Sequence, residues 1–332
     1  MSLRYPSFST LEDASWYAYS DEPIQKSPFW KAGLYDPAVI QREDSPDNLW
    51  HLFANTWEGI EHYTSQSGFD YRVQHVVLLR GHSPFIFREG NTYYLLYETH
   101  DKDYLGMRDK SNRISSSRIN MISSTDLKLW SKPRVLLSAL DVPYASDYSE
   151  PRLSRPQLVM WEGRYRLYFG ASHRELYDTG QKCTEYFSYA ESDTINGPYI
   201  PLKSPIMASD PDSRWSNLAL GSIKILPCAQ GFAAIRCSFF FDEEERRSRS
   251  VMMLLTSEDG IKFEEKRILM PPIREGWASR YITSCDAVYR SEEKAWYCYF
   301  SANDMGNGDH PFLVRESLGL LIGAERQFFH AE

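Results

Sequence analysis

The stretch Leu34-Tyr35-Asp36-Pro37-Ala38-Val39-Ile40 predicts a short buried strand that is opened by an Asp-Pro step. The same outline returns later in the chain with other residues in the position of Asp36. The further copies are His82-Ser83-Pro84-Phe85-Ile86-Phe87, Ser154-Arg155-Pro156-Gln157-Leu158-Val159, Leu220-Gly221-Ser222-Ile223-Lys224-Ile225 and Ser284-Cys285-Asp286-Ala287-Val288-Tyr289. They recur roughly every 45–70 residues, which is typical of repeat architectures rather than of single helices. We call the position of Asp36 in each copy the slot.

Three further strand patterns follow each slot strand. A Gly-containing turn and an alternating aromatic strand come next, as in Arg88-Glu89-Gly90-Asn91 and Thr92-Tyr93-Tyr94-Leu95-Leu96-Tyr97. A third strand ends in a polar turn and an aromatic residue, at 121–130 and 254–263, and a fourth follows at 76–79, 134–137 and 267–270. Four antiparallel strands per unit without intervening helices predict an all-β, five-bladed β-propeller that spans residues 1–332.

Residues 1–33 precede the first unit, and we expect them to pack across a rim or to close the last blade. An irregular β-sandwich is the alternative to a propeller. A sandwich does not require a four-strand unit that returns about five times, so the repeat favours the propeller.

The composition excludes several classes of protein. The chain has 332 residues, of which 42% are apolar and 25% charged, as in folded globular proteins. A net charge of −8 without any Lys/Arg-rich run argues against nucleic acid as a partner. No apolar run is long enough to cross a membrane, and no secretion signal is visible, so we expect a cytoplasmic protein. The five cysteines lack metal-ligand spacing and predict reduced thiols.

The residues that should carry function lie where the strands of a propeller converge. The first strand of each blade lines the central channel, and the second strand returns to the same face. We therefore expect the slots to meet near the axis, with the ends of the second strands at the mouth. Those ends are Asn55, Trp57, Glu98, His100, Asp101, Ser172, His173, Ser238, Asn303 and Asp304.

These motifs resemble a known group of enzymes. The Asp-Pro opening, the Tyr93-Tyr94-Leu95-Leu96-Tyr97 strand and the Ser124-Thr125-Asp126-Leu127-Lys128-Leu129-Trp130 turn are similar to the five-bladed glycoside hydrolases of families 43, 32 and 68, over nearly the whole chain. The resemblance implies cleavage of arabinose-, xylose- or fructose-type glycosides. It also implies three acidic residues in the channel, namely a base or nucleophile, an orienting Asp and a general-acid Glu.

The chain matches that pattern at one acid and departs from it elsewhere. Asp36 matches the base or nucleophile of the first blade. The second blade has His82-Ser83-Pro84 in place of Arg-Asp-Pro, the third has Ser154-Arg155-Pro156, and the fourth has Leu220-Gly221-Ser222 in place of Glu-Gly-Pro.

Hydrolysis of a glycoside requires two carboxyl groups, so the general acid must come from another position at the mouth. We expect Glu150, in Ser149-Glu150-Pro151-Arg152, and then Glu98, with Asp101 and Asp286 next. His82 and His100 are alternatives because imidazole titrates near neutral pH.

The leading hypothesis is a glycoside hydrolase that acts on small oligosaccharides. Asp36 would be the base, with Glu150 or Glu98 as the acid. Substrate would be bound by His82, His100, Asp101, Arg155, His173 and Asp286, with Trp57 and Trp30 as stacking platforms for sugar rings. We predict neither a cofactor nor a catalytic metal, and a structural cation in the channel is compatible with the sequence.

Three alternatives stay open. The departures from the acidic pattern suggest a sugar-binding propeller that has lost catalysis. Arg155 suggests a phosphorolytic enzyme or one that acts on anionic sugars, because a buried Arg needs an anion. A scaffold without a small ligand is the third, since propellers carry many functions.

Overall fold

The computed structural model describes residues 5–27, 33–100, 117–146, 151–304 and 315–325. The protein is all-β, and its strands form five antiparallel sheets arranged as a five-bladed β-propeller. The structure thus confirms both the predicted fold class and the predicted unit of four strands.

The strands follow the chain order of the predicted units. The N-terminal strand is β1 (Ser15–Ala18), and blade one contains β2 (Tyr35–Ile40), β3 (Trp50–Asn55), β4 (Gly59–Ser65) and β5 (Arg72–Leu79). Blade two contains β6 (His82–Glu89), β7 (Thr92–His100), β8 (Ser117–Ser124) and β9 (Arg134–Ser138). Blade three contains β10 (Leu153–Trp161), β11 (Arg164–Glu175), β12 (Lys182–Ser192), β13 (Ile200–Pro201) and β14 (Met207–Ala208). Blade four contains β15 (Ala219–Cys228), β16 (Gly231–Asp242), β17 (Arg247–Ser257) and β18 (Glu264–Met270), and blade five contains β19 (Tyr281–Arg290), β20 (Ala295–Asn303) and β21 (Ser317–Ala324).

Neighbouring strands in the chain are neighbours in each sheet, and two details complete the ring. In blade three, the two short strands β13 and β14 both pair with β12. In blade five, β1 pairs antiparallel with β21 and supplies the outermost strand. The helices of the described residues are single turns, at Ser9–Glu12 and Pro143–Ser146, with 3-10 turns at Arg42–Asp44 and Ala139–Asp141.

The recurring Ser-x-Asp pattern forms the same turn in two blades. In blade two, the Asp126 carboxylate accepts hydrogen bonds from the backbone N–H groups of Lys128 and Leu129, at 2.9 and 2.8 Å. In blade four, Asp259 accepts from Ile261 and Lys262 in the same way, at 2.7 and 2.9 Å. Short polar side chains satisfy the backbone of a tight turn, which explains why the pattern marks the end of a third strand.

Each pair of neighbouring blades is joined by a hydrophobic cluster. The clusters contain Phe53 between blades one and two, Phe169 between two and three, Phe232 between three and four, Cys298 between four and five, and Tyr299 between five and one. Because the last cluster packs blade five on blade one, the ring closes without an open sheet edge between the blades.

The slots share an irregular backbone. In every blade, the pairing of the first strand with the second shifts register at the slot. Asp36, Ser83 and Arg155 have φ angles of 49°, 50° and 50°, and Gly221 has 70°. A positive φ is costly for residues other than glycine, and such conformations cluster at functional sites. Gly221 has a further reason to be glycine, because a Cβ there would lie 1.9 Å from the carbonyl oxygen of Cys237.

Candidate active site

A narrow cavity lies on the propeller axis, and we call it the pit. Its lining comes from the first strand of every blade: Asp36, Pro37, Ser83, Pro84, Phe85, Arg155, Pro156, Gln157, Ser222, Ile223, Lys224, Ser284 and Cys285. The slot residues of blades one, two and three therefore face the same small volume.

Asp36 is held in the pit by neighbours from several blades. Its Oδ1 accepts a hydrogen bond from Arg155 Nε at 3.0 Å, and its Oδ2 accepts one from Ser83 Oγ at 3.0 Å. Its backbone N–H donates to Ser284 Oγ at 3.1 Å. The side chain nevertheless stays 14% exposed. An oriented carboxylate with an accessible side is what a catalytic base or nucleophile requires.

Arg155 connects Asp36 to the third blade. Besides its bond to Asp36, it donates from Nη1 to Thr184 Oγ1 at 3.2 Å. Burial disfavours the charge of the guanidinium, but the ionic contact with Asp36 outweighs it and the pKa of Arg155 is raised. Within the described residues, Asp36 is therefore the anion that a buried Arg requires.

Glu316 is a buried carboxyl group beside Asp36 that the sequence analysis missed. It directly precedes β21 and is 1% exposed. Its backbone carbonyl accepts a hydrogen bond from the backbone N–H of Leu34. Its Oε2 accepts from Thr283 Oγ1 at 2.6 Å, and its Oε1 accepts from Asn303 Nδ2 at 3.2 Å. Burial, reinforced by the charge of Asp36, raises the pKa of Glu316 to about 8. At neutral pH Glu316 is therefore mostly protonated.

Blade two contributes a second acid, which is paired with an arginine. Glu98 is fully buried and lies opposite His82 in the sheet. It accepts two hydrogen bonds from Arg152, one from Nε at 2.6 Å and one from Nη2 at 3.3 Å. The imidazole of His82 stacks on that of His100, with the ring centroids 4.7 Å apart. Burial lowers the pKa of His82, so the ring is neutral at pH 7.

His173 lies at the mouth on blade three, opposite Thr184 in the sheet. Burial lowers the pKa of His173 well below its usual value, and Arg152, Arg155 and Lys182 lower it further. Its Nε2 is buried and has no hydrogen-bond partner among the described residues. Because Thr184 also accepts a hydrogen bond from Arg155, His173 lies on the same side of the propeller as this arginine.

Asp286 lies further along its strand, away from the mouth. Its Oδ1 is 2.5 Å from Lys224 Nζ, and its Oδ2 accepts a bond from the backbone N–H of Val39 at 2.7 Å. The Lys224 ammonium also lies 4.4 Å from the centre of the Phe85 ring. These contacts tie blades one, two, four and five together beside the axis.

Of the four remaining predicted residues, Trp57 lies in the described part of the chain and the other three do not. Trp57 follows β3 in the turn that begins at Thr56, and 47% of its surface is exposed. Because Asn55 pairs with Tyr35, this turn lies at the same end of the blade as Asp36. The predictions for Trp30, Asp101 and Glu150 fall outside the described residues.

The hairpin of β11 and β12 extends past His173, a feature that the sequence did not predict. Near its tip, Asp178 accepts hydrogen bonds from the backbone N–H of Ser248 at 2.7 Å and from Arg280 Nη2 at 2.8 Å. The neighbouring Tyr177 is 71% exposed. These bonds fix the hairpin against blades four and five.

The described residues contain neither a cluster of three or more His, Cys, Asp or Glu side chains suited to a metal ion nor a disulfide. Across those same residues, every helix is too short and too polar to span a bilayer.

Solved structures of other proteins share this fold. The catalytic domain of a family 62 α-L-arabinofuranosidase from Coprinopsis cinerea matches with a TM-score of 0.62 and 12% identity, over 94% of this chain and 98% of that one. A family 117 glycoside hydrolase from Zobellia galactanivorans matches with a TM-score of 0.56 and 12% identity, over 97% and 93%. An N-acetylgalactosamine deacetylase from F. plautii, in complex with blood group B trisaccharide, matches with a TM-score of 0.60 and 13% identity, over 94% and 95%.

The expected likeness in fold to propeller glycoside hydrolases is thus confirmed. No family model and no curated protein matches the sequence. At such low identity the likeness establishes the fold alone, and the deacetylase shows that this fold carries more than one reaction.

Proposed function

We propose that the protein is a glycoside hydrolase that cleaves small oligosaccharides or glycosides in the pit, with Asp36 as the base or nucleophile. The observation that carries this proposal is the geometry of Asp36. Its carboxylate is oriented by Arg155 and Ser83, and it keeps an accessible side. Positioning of this kind lowers the barrier because the reactive group does not have to reorganise during the reaction.

The general acid must be a second carboxyl group or an equivalent proton donor. Glu98 is the candidate within the described residues, although Arg152 already donates two hydrogen bonds to its carboxyl group. Glu316 is mostly protonated at neutral pH, but Thr283 and Asn303 donate hydrogen bonds to its two carboxyl oxygens, and neither Glu316 nor Glu98 lines the pit. Glu150, which precedes Arg152 by two residues in the chain, therefore stays our first choice for the acid, with Glu98 second.

The groups around Asp36 suit a sugar rich in hydroxyl groups. His82, His100, His173 and Arg155 would donate or accept hydrogen bonds, and Asp101 completes the proposed binding set. Asp286 is left out of this set, because Lys224 and two backbone N–H groups already bind its carboxylate away from the mouth. The exposed ring of Trp57 offers a face on which a sugar can stack, and Trp30 is proposed for the same role. Two proteins of this fold are named as an arabinofuranosidase and a β-fructofuranosidase, which supports furanosides as the first substrates to test.

The test compares the wild-type protein with Asp36→Asn on a panel of aryl arabinofuranosides, xylosides and fructosides. Asn keeps the shape of Asp and can still accept from Ser83, so the fold should persist. We expect turnover to fall by about 10²–10⁴-fold, the usual contribution of a positioned acid or base. Arg88→Gln, at the opposite end of blade two, is the control and should retain full activity. Equal activity of Asp36→Asn and wild type would remove Asp36 from the mechanism.

The second candidate is a carbohydrate-binding propeller without catalysis. It is favoured by the engagement of both oxygens of Asp36, together with the Ser and Arg residues in slots two and three. Calorimetry separates the two functions. Saturable binding of an oligosaccharide without any product after days of incubation would favour binding alone.

We further propose a cytoplasmic location, which the five free cysteines support because thiols stay reduced there. Thiol titration of the denatured, unreduced protein isolated from its native cells should find five reactive groups. A lower number would indicate disulfide formation and argue against this compartment.

A further inference from the structure

Arg155 lines the pit on the side of blade three, and two further basic side chains, Arg152 and His173, lie beside it on the same side of the propeller. Arg152 and Arg155 are partly accessible, with side chains 30% and 22% exposed. His173 lies close to both arginines: its neighbour Ser172 donates its backbone N–H to the carbonyl of Arg152 at 2.9 Å, and its cross-strand partner Thr184 accepts a hydrogen bond from Arg155 at 3.2 Å. We call Arg152, Arg155 and His173 the basic wall.

Each arginine of the basic wall uses only some of its N–H groups for contacts within the protein. Arg152 donates from Nε and Nη2 to Glu98, and Arg155 donates from Nε to Asp36 and from Nη1 to Thr184. Within the described part of the chain, Nη1 of Arg152 and Nη2 of Arg155 have no partner. The buried Nε2 of His173 also lacks one there. Three nitrogen atoms from two guanidinium groups and one imidazole thus have hydrogen-bonding capacity left.

Within the described part of the chain, the carboxyl groups beside the basic wall are less accessible than its two arginines. Glu98 is fully buried, whereas the side chain of its partner Arg152 is 30% exposed. Asp36 is less exposed than its partner Arg155. Burial raises the pKa of Glu316 to about 8, which leaves it mostly uncharged at neutral pH. Within the described residues, the guanidinium groups of Arg152 and Arg155 are therefore more accessible to a ligand than the carboxylates with which they pair.

We propose that the basic wall is an oxyanion subsite, and that the natural substrate is a sugar with a negatively charged group, either a carboxylate or a phosphate. Guanidinium groups bind such oxyanions through parallel hydrogen bonds of matching geometry, and these charge-assisted bonds are stronger than bonds to a neutral hydroxyl. The inference rests on the proposed function, in that it takes the pit to bind a carbohydrate. It adds the charge of the substrate and the residues that select for it.

The test is a calorimetric binding series with matched pairs of sugars. The probes are glucose with glucuronate, galactose with galacturonate, and mannose with mannuronate, followed by the 6-phosphates of the same sugars and by inorganic phosphate. We expect an acidic member of at least one pair to bind tenfold or more tightly than its neutral partner, and to lose this preference at high salt. The three acidic series separate a uronate, a sugar phosphate and free phosphate as the source of the anion.

Variants then test whether the preference for an acidic sugar depends on the residues of the basic wall. The double variant Glu98→Gln/Arg152→Gln removes an ion pair without leaving a buried charge, and it should abolish the preference. His173→Gln alone should reduce it several-fold, and this variant keeps the test valid if the double variant does not fold. Arg88→Gln, whose ion pair with Asp44 is on the opposite face, should leave the preference unchanged.

Two results would overturn the inference. The first is that no acidic probe binds better than its neutral partner. The second is that the wild-type protein shows no preference for acidic sugars and only the Glu150→Gln variant does. That result would show that the carboxylate of Glu150 occupies the basic wall in the wild-type protein. Because the series measures binding, its outcome is independent of turnover. Anion binding that requires Arg152 would stand even if Asp36→Asn showed the protein not to be a hydrolase, and hydrolysis of neutral glycosides would survive a failed binding series.

Discussion

Two acid–base pairs lie along the propeller axis, and they differ mainly in what surrounds them. Asp36 and Arg155, at the mouth, have side chains 14% and 22% exposed, and Asp36 is held by side-chain donors. Asp286 and Lys224, further along the strands, are 5% and 11% exposed, and Asp286 also accepts bonds from two backbone N–H groups. Side-chain donors can move when a ligand arrives, whereas a backbone N–H in a sheet cannot. We infer that the first pair is suited to chemistry and the second to holding the blades together.

Asp286→Asn should show the largest stability effect, because it leaves the ammonium of Lys224 without its counter-charge in a poorly accessible place. We expect a loss of about 3–5 kcal/mol in the free energy of unfolding, the usual cost of breaking a buried ion pair. Urea unfolding monitored by circular dichroism measures it. The double variant Asp286→Asn/Lys224→Met should lose less, because no charge is left alone. Unchanged stability of Asp286→Asn would end the contrast between the two pairs.

The buried carboxyl group of Glu316, beside Asp36, predicts that the stability of the protein depends on pH. Its pKa is raised from 4.5 to about 8 in the folded protein, so the folded state keeps a proton that the unfolded chain releases. Stability from this group is complete below about pH 4.5 and is lost as the pH rises toward 8, by up to about 1.4 kcal/mol per pH unit. Glu316→Gln should flatten this part of the profile in urea unfolding at pH 5, 6.5 and 8. An equally steep decline in the variant would assign it to other groups.

Arg155→Gln should have the smallest effect on stability, although it touches the proposed catalytic carboxylate. Water can reach Asp36 and replace part of the lost contact, so we expect a loss of about 1 kcal/mol, as for partly exposed pairs. The measurement is urea unfolding beside Asp286→Asn under the same conditions. A loss as large as that of Asp286→Asn would mean that the mouth pair is also a structural tie.

Much of the architecture was predictable because the repeat is local. Alternation, turn residues and the Ser-x-Asp pattern act over a few residues, and they marked the strands of blades one, two and four in the chain. The position of Asp36 followed from the repeat, since a slot that opens a first strand must face the axis. Glu316 was not predictable in this way. Its only sequence signal is a charge before the apolar run that becomes β21, whereas a propeller predicts functional residues at the starts of first strands and the ends of second strands.

By itself, the sequence determined the five-bladed fold, the converging slots and the presence of an acid, Asp36, in the slot of blade one. Only the tertiary structure decided the partners of the charged groups: Arg155 with Asp36, Arg152 with Glu98, and Lys224 with Asp286. The reason is physical. Strand and turn preferences act between near neighbours in the chain, whereas the protonation and role of a carboxyl group depend on burial and on charges brought from other blades.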